Sequence, residues 1–183
     1  MPTGSTGHLV AIELASGKQR RLTHKGASEN SDFAQHPKIS PDGKLIAYSW
    51  WVVKKDIYEL RVMATAEGSE PRTLYSNVEV PIISAAGWST DGKQLLATCR
   101  RKDGAKQIAL VAPDSGALRV VKSFGQRAPG KPSLSPDGRY IAYDLPQAEE
   151  GPERDIFLRV RDMKVMDRGG SFFRARFLKY IIL

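Results

Sequence analysis

Apolar positions in this chain fall in short runs broken by glycine, proline and aspartate, and no stripe of helical period lasts long enough for a ten-residue helix. The runs Leu45-Ile46-Ala47-Tyr48, Lys93-Gln94-Leu95-Leu96-Ala97 and Tyr140-Ile141-Ala142-Tyr143 are short and partly β-branched or aromatic, which predicts strands covered on both faces. A second apolar segment follows each: Asp56 to Val62, Gln107 to Val111, and Asp155 to Leu158. After the first two, a turn at Gly68 or Gly116 leads to a last short segment, Arg72-Thr73-Leu74-Tyr75 or Leu118-Arg119-Val120-Val121. The expectation is an all-β chain of short strands.

These elements repeat. Ser40-Pro41-Asp42-Gly43, Ser89-Thr90-Asp91-Gly92 and Ser135-Pro136-Asp137-Gly138 begin 49 and 46 residues apart, each between a short upstream segment and one of the apolar runs. The tetrapeptide is a strand-reversal device: proline presets φ for the second position of a type I turn, aspartate tolerates the third, and glycine takes the left-handed conformation. Pro41, Asp42, Gly43, Asp91, Gly92, Pro136, Asp137 and Gly138 are therefore read as structural turn residues. Four short strands in about 45 residues make one blade of a β-propeller. The N-terminus enters the same plan late, with His8 to Leu14 as a third strand, Gly17 in the turn and Arg20 to Thr23 as a fourth. The predicted organisation is a partial propeller over 1–166, with a half blade at 7–23 and blades at about 36–75, 85–121 and 131–160. The tail, 167–183, is expected to be irregular or a short helix.

The S-P-D-G-[KR]-x-[IL]-A-Y core, the D-I-[YF] strand and the closing G-x-x-x-R-x-L strand resemble the WD-repeat-like blades of TolB-like proteins and of prolyl-oligopeptidase-type propellers. The resemblance covers roughly residues 7 to 160. It implies four-stranded antiparallel blades and an incomplete ring of about three. Functionally it implies a range: envelope scaffolds, gating domains of peptidases, and sensor domains of signalling proteins. Propellers close with four to eight blades, so the chain reads as a fragment of a longer propeller, or as one half of a homodimer that completes a ring.

Composition narrows this little: 41% hydrophobic and 26% charged residues are ordinary for a globular domain. The net charge of +8 hints at a polyanionic partner, but residues 159–183 carry seven basic side chains against Asp162 and Asp167, which leaves +3 for the rest. Nucleic-acid binding is accordingly not expected. The tail Ser171 to Leu183 mixes aromatic and aliphatic residues with Arg174, Arg176 and Lys179, a pattern compatible with membrane contact, but because it begins where the repeats fail it is read first as an end outside the fold. No secretory leader or membrane-spanning run is legible, and a single cysteine, Cys99, leaves periplasm and cytoplasm both open.

Catalytic patterns are missing: there is no G-x-S-x-G, H-E-x-x-H or G-x-x-x-x-G-K-[ST], and no cysteine–histidine set with zinc spacing. His8, His24 and His36 lack partners that would make a ligand cluster, and Cys99 reads as a buried small hydrophobe. No catalytic residue, cofactor or metal is predicted. Trp50, Trp51, Lys54 and Lys55, placed between the second and third strands of the first full blade, form the candidate interaction loop, with packing between blades as the alternative. A second candidate is the acidic stretch Leu145 to Asp155. The expected function is a non-enzymatic scaffold for a protein or peptide partner. The rivals are the gating propeller of a serine peptidase and the sensor domain of a larger protein.

Overall fold

The computed structural model describes residues 7–23 and 32–145, and the backbone of 156–159. His24, the connection from 146 to 155 and the tail 167–183, all singled out in the sequence, lie outside the described residues.

Four antiparallel sheets follow one another along the chain. The first pairs β1 (Val10–Ile12) with β2 (Gln19–Arg21). The second orders β3 (Phe33–Ile39), β4 (Leu45–Val52), β5 (Ile57–Ala64) and β6 (Arg72–Tyr75) as neighbours in sequence. The third repeats this plan with β7 (Ile82–Trp88), β8 (Leu95–Arg100), β9 (Lys106–Val111) and β10 (Leu118–Ser123). The fourth joins β11 (Ser133–Leu134), β12 (Tyr140–Tyr143) and β13 (Ile156–Arg159). These are propeller blades: a half blade, two full blades and a three-stranded one.

The sheets stack because each central strand is apolar on both faces, and the two-residue period sends alternate side chains to opposite neighbours. In β4, Ile46, Tyr48 and Trp50 join Leu9, Leu22, Ala34 and Met63 in a core against the half blade. Ala47, between them, faces the next blade together with Leu60 and Val62, and meets Ile83, Leu95, Ala97 and Cys99 there. On β8, Leu96 turns the other way and joins Ile108, Leu110 and Phe124 against Ile141, Tyr143 and Leu145. Each full blade is thus the filling between two cores.

Polar contacts fix the stacking. The Trp88 indole N–H donates to the carbonyl of Lys38 at 2.9 Å, tying β7 to β3, and Tyr58 N–H donates to the carbonyl of Pro81 at 2.8 Å. Arg72 reaches the Pro113 and Asp114 carbonyls of the following blade, and Arg20 of the half blade reaches the carbonyl of Thr65.

The first strands of the two full blades are longer than the sequence suggests, starting at Phe33 and Ile82. Both carry a bulge at the matching place, between Gln35 and Lys38 and between Ala85 and Gly87. At the first, Pro37 offers no N–H to the ladder and His36 takes a left-handed φ of 54°, so a spare residue is expelled there.

Candidate functional site

The three repeated turns share one set of bonds. In each, the glycine N–H donates to the carbonyl of the serine at 2.9 Å, with φ of 71°, 70° and 67° at Gly43, Gly92 and Gly138. Each serine hydroxyl lies 2.6 Å from the aspartate Oδ1 and also accepts the N–H five residues on. The aspartate accepts a further backbone N–H, from Lys44, Lys93 or Arg139. The serine bond first, and then that backbone bond, hold Asp42 and Asp91 below the usual carboxylate range and bring Asp137 to about 2. The repeated serine and the ionised aspartate form a hydrogen-bonded knot, a role that turn propensity alone does not reveal. Thr90, where the other copies have proline, uses its hydroxyl to bond the carbonyl of Pro136 at 2.8 Å, linking two turns of neighbouring blades.

The segment around Trp50 is placed differently from the sequence reading. Ladder pairing of Trp50 with Glu59, Trp51 with Tyr58 and Val52 with Ile57 carries β4 through both tryptophans, so the connection is only Val53 to Asp56. Trp50 is 3% exposed: Tyr48 meets it edge-on, the Arg61 guanidinium lies 4.8 Å from its ring, and its N–H points to Asp32 at 3.4 Å. Trp51 is half-buried beside Tyr58 and Phe33, at ring separations of 4.7 and 6.4 Å. Lys54 is exposed, as is Lys55, which reaches the Glu59 carboxylate at 3.2 Å.

Glu59 is the buried charge that sequence reasoning missed, since its strand Ile57-Tyr58-Glu59-Leu60-Arg61 gives no hint that the acid points inward. Burial pushes its carboxyl up, but bonds from Arg61 at 2.6 Å, from Lys55 and from Ser76 outweigh burial and hold it below its ordinary value. Cys99 is buried and its thiol is pushed up to about 12, which leaves no thiolate to react. His8 is half-buried and its Nδ1 has no hydrogen bond among the described residues, and His36 is exposed. Among the described residues no three metal-ligating side chains gather.

No family model and no curated protein matches the chain. Solved structures do. A TolB candidate from Agrobacterium tumefaciens is similar at 26% identity over 77% of this chain and 48% of its own, with a TM-score of 0.63. TolB from Acinetobacter baumannii is similar at 16% identity over 86% of this chain and 36% of its own, with a TM-score of 0.65. The chain is built of TolB-like propeller blades. The propeller domain of the trilobed protease from Pyrococcus furiosus also matches in fold, at 24% identity over 82% of this chain and 44% of its own, with a TM-score of 0.52. The chain spans less than half the length of each of these three.

In a TolB-like stack of blades the connections sort onto two ends. The repeated turns and the β5–β6 and β9–β10 connections share one end; the Val53–Asp56, 76–81, 101–105 and 124–132 connections share the other. A recess of about 480 Å³ runs along β3, β7 and β8 to the 129–132 stretch of this second end, among His36, Lys38, Arg100, Lys106 and Lys131, and its described lining includes no carboxylate. Among the described residues, no helix is long and apolar enough to cross a membrane.

Proposed function

We propose that this chain is a non-enzymatic interaction scaffold that receives an acidic protein or peptide segment at the end bearing the Val53–Asp56 and 101–105 connections. The observation that carries this reading is the recess whose described charged lining residues are all basic. Among the described residues, connections at that end hold Lys54, Lys55, Arg101, Lys102, Arg127 and Lys131 against Asp32, Asp56, Glu79, Asp103 and Asp144. Those at the opposite end hold seven acids (Glu13, Asp42, Glu67, Glu70, Asp91, Asp114, Asp137) against Lys18, Lys44, Lys93 and Arg139. Complementary potentials of this kind select partners and accelerate encounter.

The division of labour between the ends supports the same reading. The turn end repeats one bonded knot three times and is accounted for by structure, whereas the other end has connections of unequal length and sequence, where recognition is free to vary. A labelled Glu-rich decapeptide is the probe. The chain binds it with an affinity that falls as salt rises; the Lys54→Glu, Lys131→Glu double variant loses most of that affinity and Lys93→Glu, at the far end, keeps it. Equal loss in both variants overturns the assignment.

Two finer readings belong here. A second copy of the chain is proposed to cover the open face of the half blade. In the rival architecture the blades gate a serine peptidase, and a G-x-S-x-G elbow in the adjoining coding sequence would establish it.

A further inference from the structure

One face of the third sheet brings a set of donors to the basic recess. Strand β8 has a period of two, so Leu96, Thr98 and Arg100 point to the same side. Leu96 and Ile108, the ladder partner of Thr98, belong to the core shared with the last described sheet. Further along, the same face turns polar: pairing sets Ser84 beside Thr98 and Lys106 beside Arg100. Lys131 of the 129–132 stretch and His36 and Lys38 of β3 complete the charged lining. The volume, about 480 Å³, is in the range of small-molecule sites.

These donors are open. Ser84 and Thr98 are half-buried, and neither hydroxyl makes a hydrogen bond among the described residues. Lys38, Arg100 and Lys131 make no ion pair among them. Lys106 gives its Nζ to the carbonyl of Gln126 at 2.8 Å, a neutral acceptor that leaves its charge uncompensated. Arg100 and Lys106 stand directly opposite each other in the β8–β9 ladder, and like charges so placed work against the sheet. Asp144 sits against Gly130 but is not part of the lining. The described chain thus gathers lysine, arginine and free hydroxyls around one space and supplies no anion to it.

We propose that the recess holds a phosphate monoester carried by the acidic segment, an inference that rests on the reading that such a segment is received there. A carboxylate offers one charge and two acceptor oxygens, whereas a phosphate monoester near pH 7 carries about −1.5 to −2 and offers three strong acceptor oxygens. The Arg100 fork takes two of those oxygens, the geometry for which guanidinium is suited. The Ser84 and Thr98 hydroxyls donate to the third, and Lys38, Lys106 and Lys131 surround the group with charge. A dianion between Arg100 and Lys106 turns their mutual repulsion into attraction to a shared partner.

The test uses the full chain and two labelled Glu-rich decapeptides, one with a central serine and one with phosphoserine in its place. The phosphopeptide binds about tenfold more tightly, the advantage of one charge-assisted bond. Arg100→Gln and Lys131→Gln, both at exposed positions, keep the thermal midpoint and each reduce that ratio to about threefold or less. Lys54→Gln, on another connection of the same end, weakens both peptides by the same factor and keeps the ratio. Free O-phosphoserine competes, but far more weakly than the phosphopeptide. A ratio near one overturns the proposal; if the serine peptide still binds, the acidic-segment reading survives without the phosphate. A ratio that persists in both Arg100→Gln and Lys131→Gln also overturns it, by placing the phosphate outside the recess. Free O-phosphoserine that binds as tightly as the phosphopeptide overturns the segment as carrier. Binding of the phosphopeptide with none of the serine peptide supports the phosphate site and removes the plain acidic segment as its occupant.

Discussion

Asp137 receives three bonds that all favour its ionised form: from the Ser135 hydroxyl at 2.6 Å, from Arg139 N–H at 3.1 Å, and from Arg139 Nε at 2.6 Å. Its pKa of about 2 in the fold, against an ordinary 3.8, means that folding favours the carboxylate. The folded value is the lower one, so the associated stability is present above about pH 4 and is lost as pH falls toward 2. Asp42 and Asp91 are shifted the same way for the same first cause, the serine bond. Urea midpoints measured between pH 6 and pH 2 should therefore fall steeply below pH 4, and Asp137→Asn should flatten that slope; an unchanged slope would remove Asp137 from the acid limb. The sequence displayed these residues as a motif because turn chemistry repeats with the blade. It did not display what serine and aspartate do to each other, since that depends on the side-chain rotamers the closed turn selects. Thr90 shows the same limit. It looks like a lapse from the Ser-Pro-Asp-Gly pattern, but its bond to Pro136 exists only when two blades stand side by side.

Strands and turns carry the next level of the argument, where the period of two decides which core a side chain joins. Leu96 is fully buried and faces Ile141 and Tyr143, while its neighbours Leu95 and Ala97 face the preceding blade. Leu96→Ala removes packing from one inter-blade core and leaves the other intact, at a cost of about 2–5 kcal/mol. Hydrogen exchange should then rise first in β11 and β12 and not in β4; uniform loss of protection would show that the blades melt as one unit. Gly116 tests the junction on the other side. It has φ of 73°, and an added Cβ would stand 2.2 Å from the carbonyl oxygen of Leu74, so Gly116→Ala should force the β9–β10 turn away from β6 and lower the thermal midpoint. Gly68, also left-handed but with open space around it, is the control: Gly68→Ala should cost only the local backbone strain. Strand order was legible because apolar runs and turns alternate cleanly. Strand length was not. Phe33 to Gln35 and the Trp50–Trp51 pair look like loop in isolation, and become strand because cross-strand partners complete their ladders.

At the scale of the whole molecule, blade stacking gives each interior sheet two neighbours and leaves the first and last described sheets with one. Leu9 and Ala11 of the half blade pack inward on the first full blade, so Val10 and Ile12 point the other way, at 49% and 56% exposure, with Leu14 beyond them at 97%. At the far side Ile141 and Tyr143 pack inward and Tyr140 is left 38% exposed on the opposite face of β12. The two open faces lie at opposite ends of the row. One copy's last blade set against another's half blade would make a heterologous contact, and two such contacts close a ring without free sheet faces. The proposed dimer then has a definite signature. Light scattering across a concentration series should show a mass rising from 20.2 kDa toward twice that value. Val10→Lys with Ile12→Lys should hold the chain at the monomer mass with unchanged circular dichroism, because lysine on that face opposes its burial without touching the core behind it. A folded monomer at every concentration in the unmodified chain would refute the ring of two copies, and would assign the open faces to other segments of a longer protein.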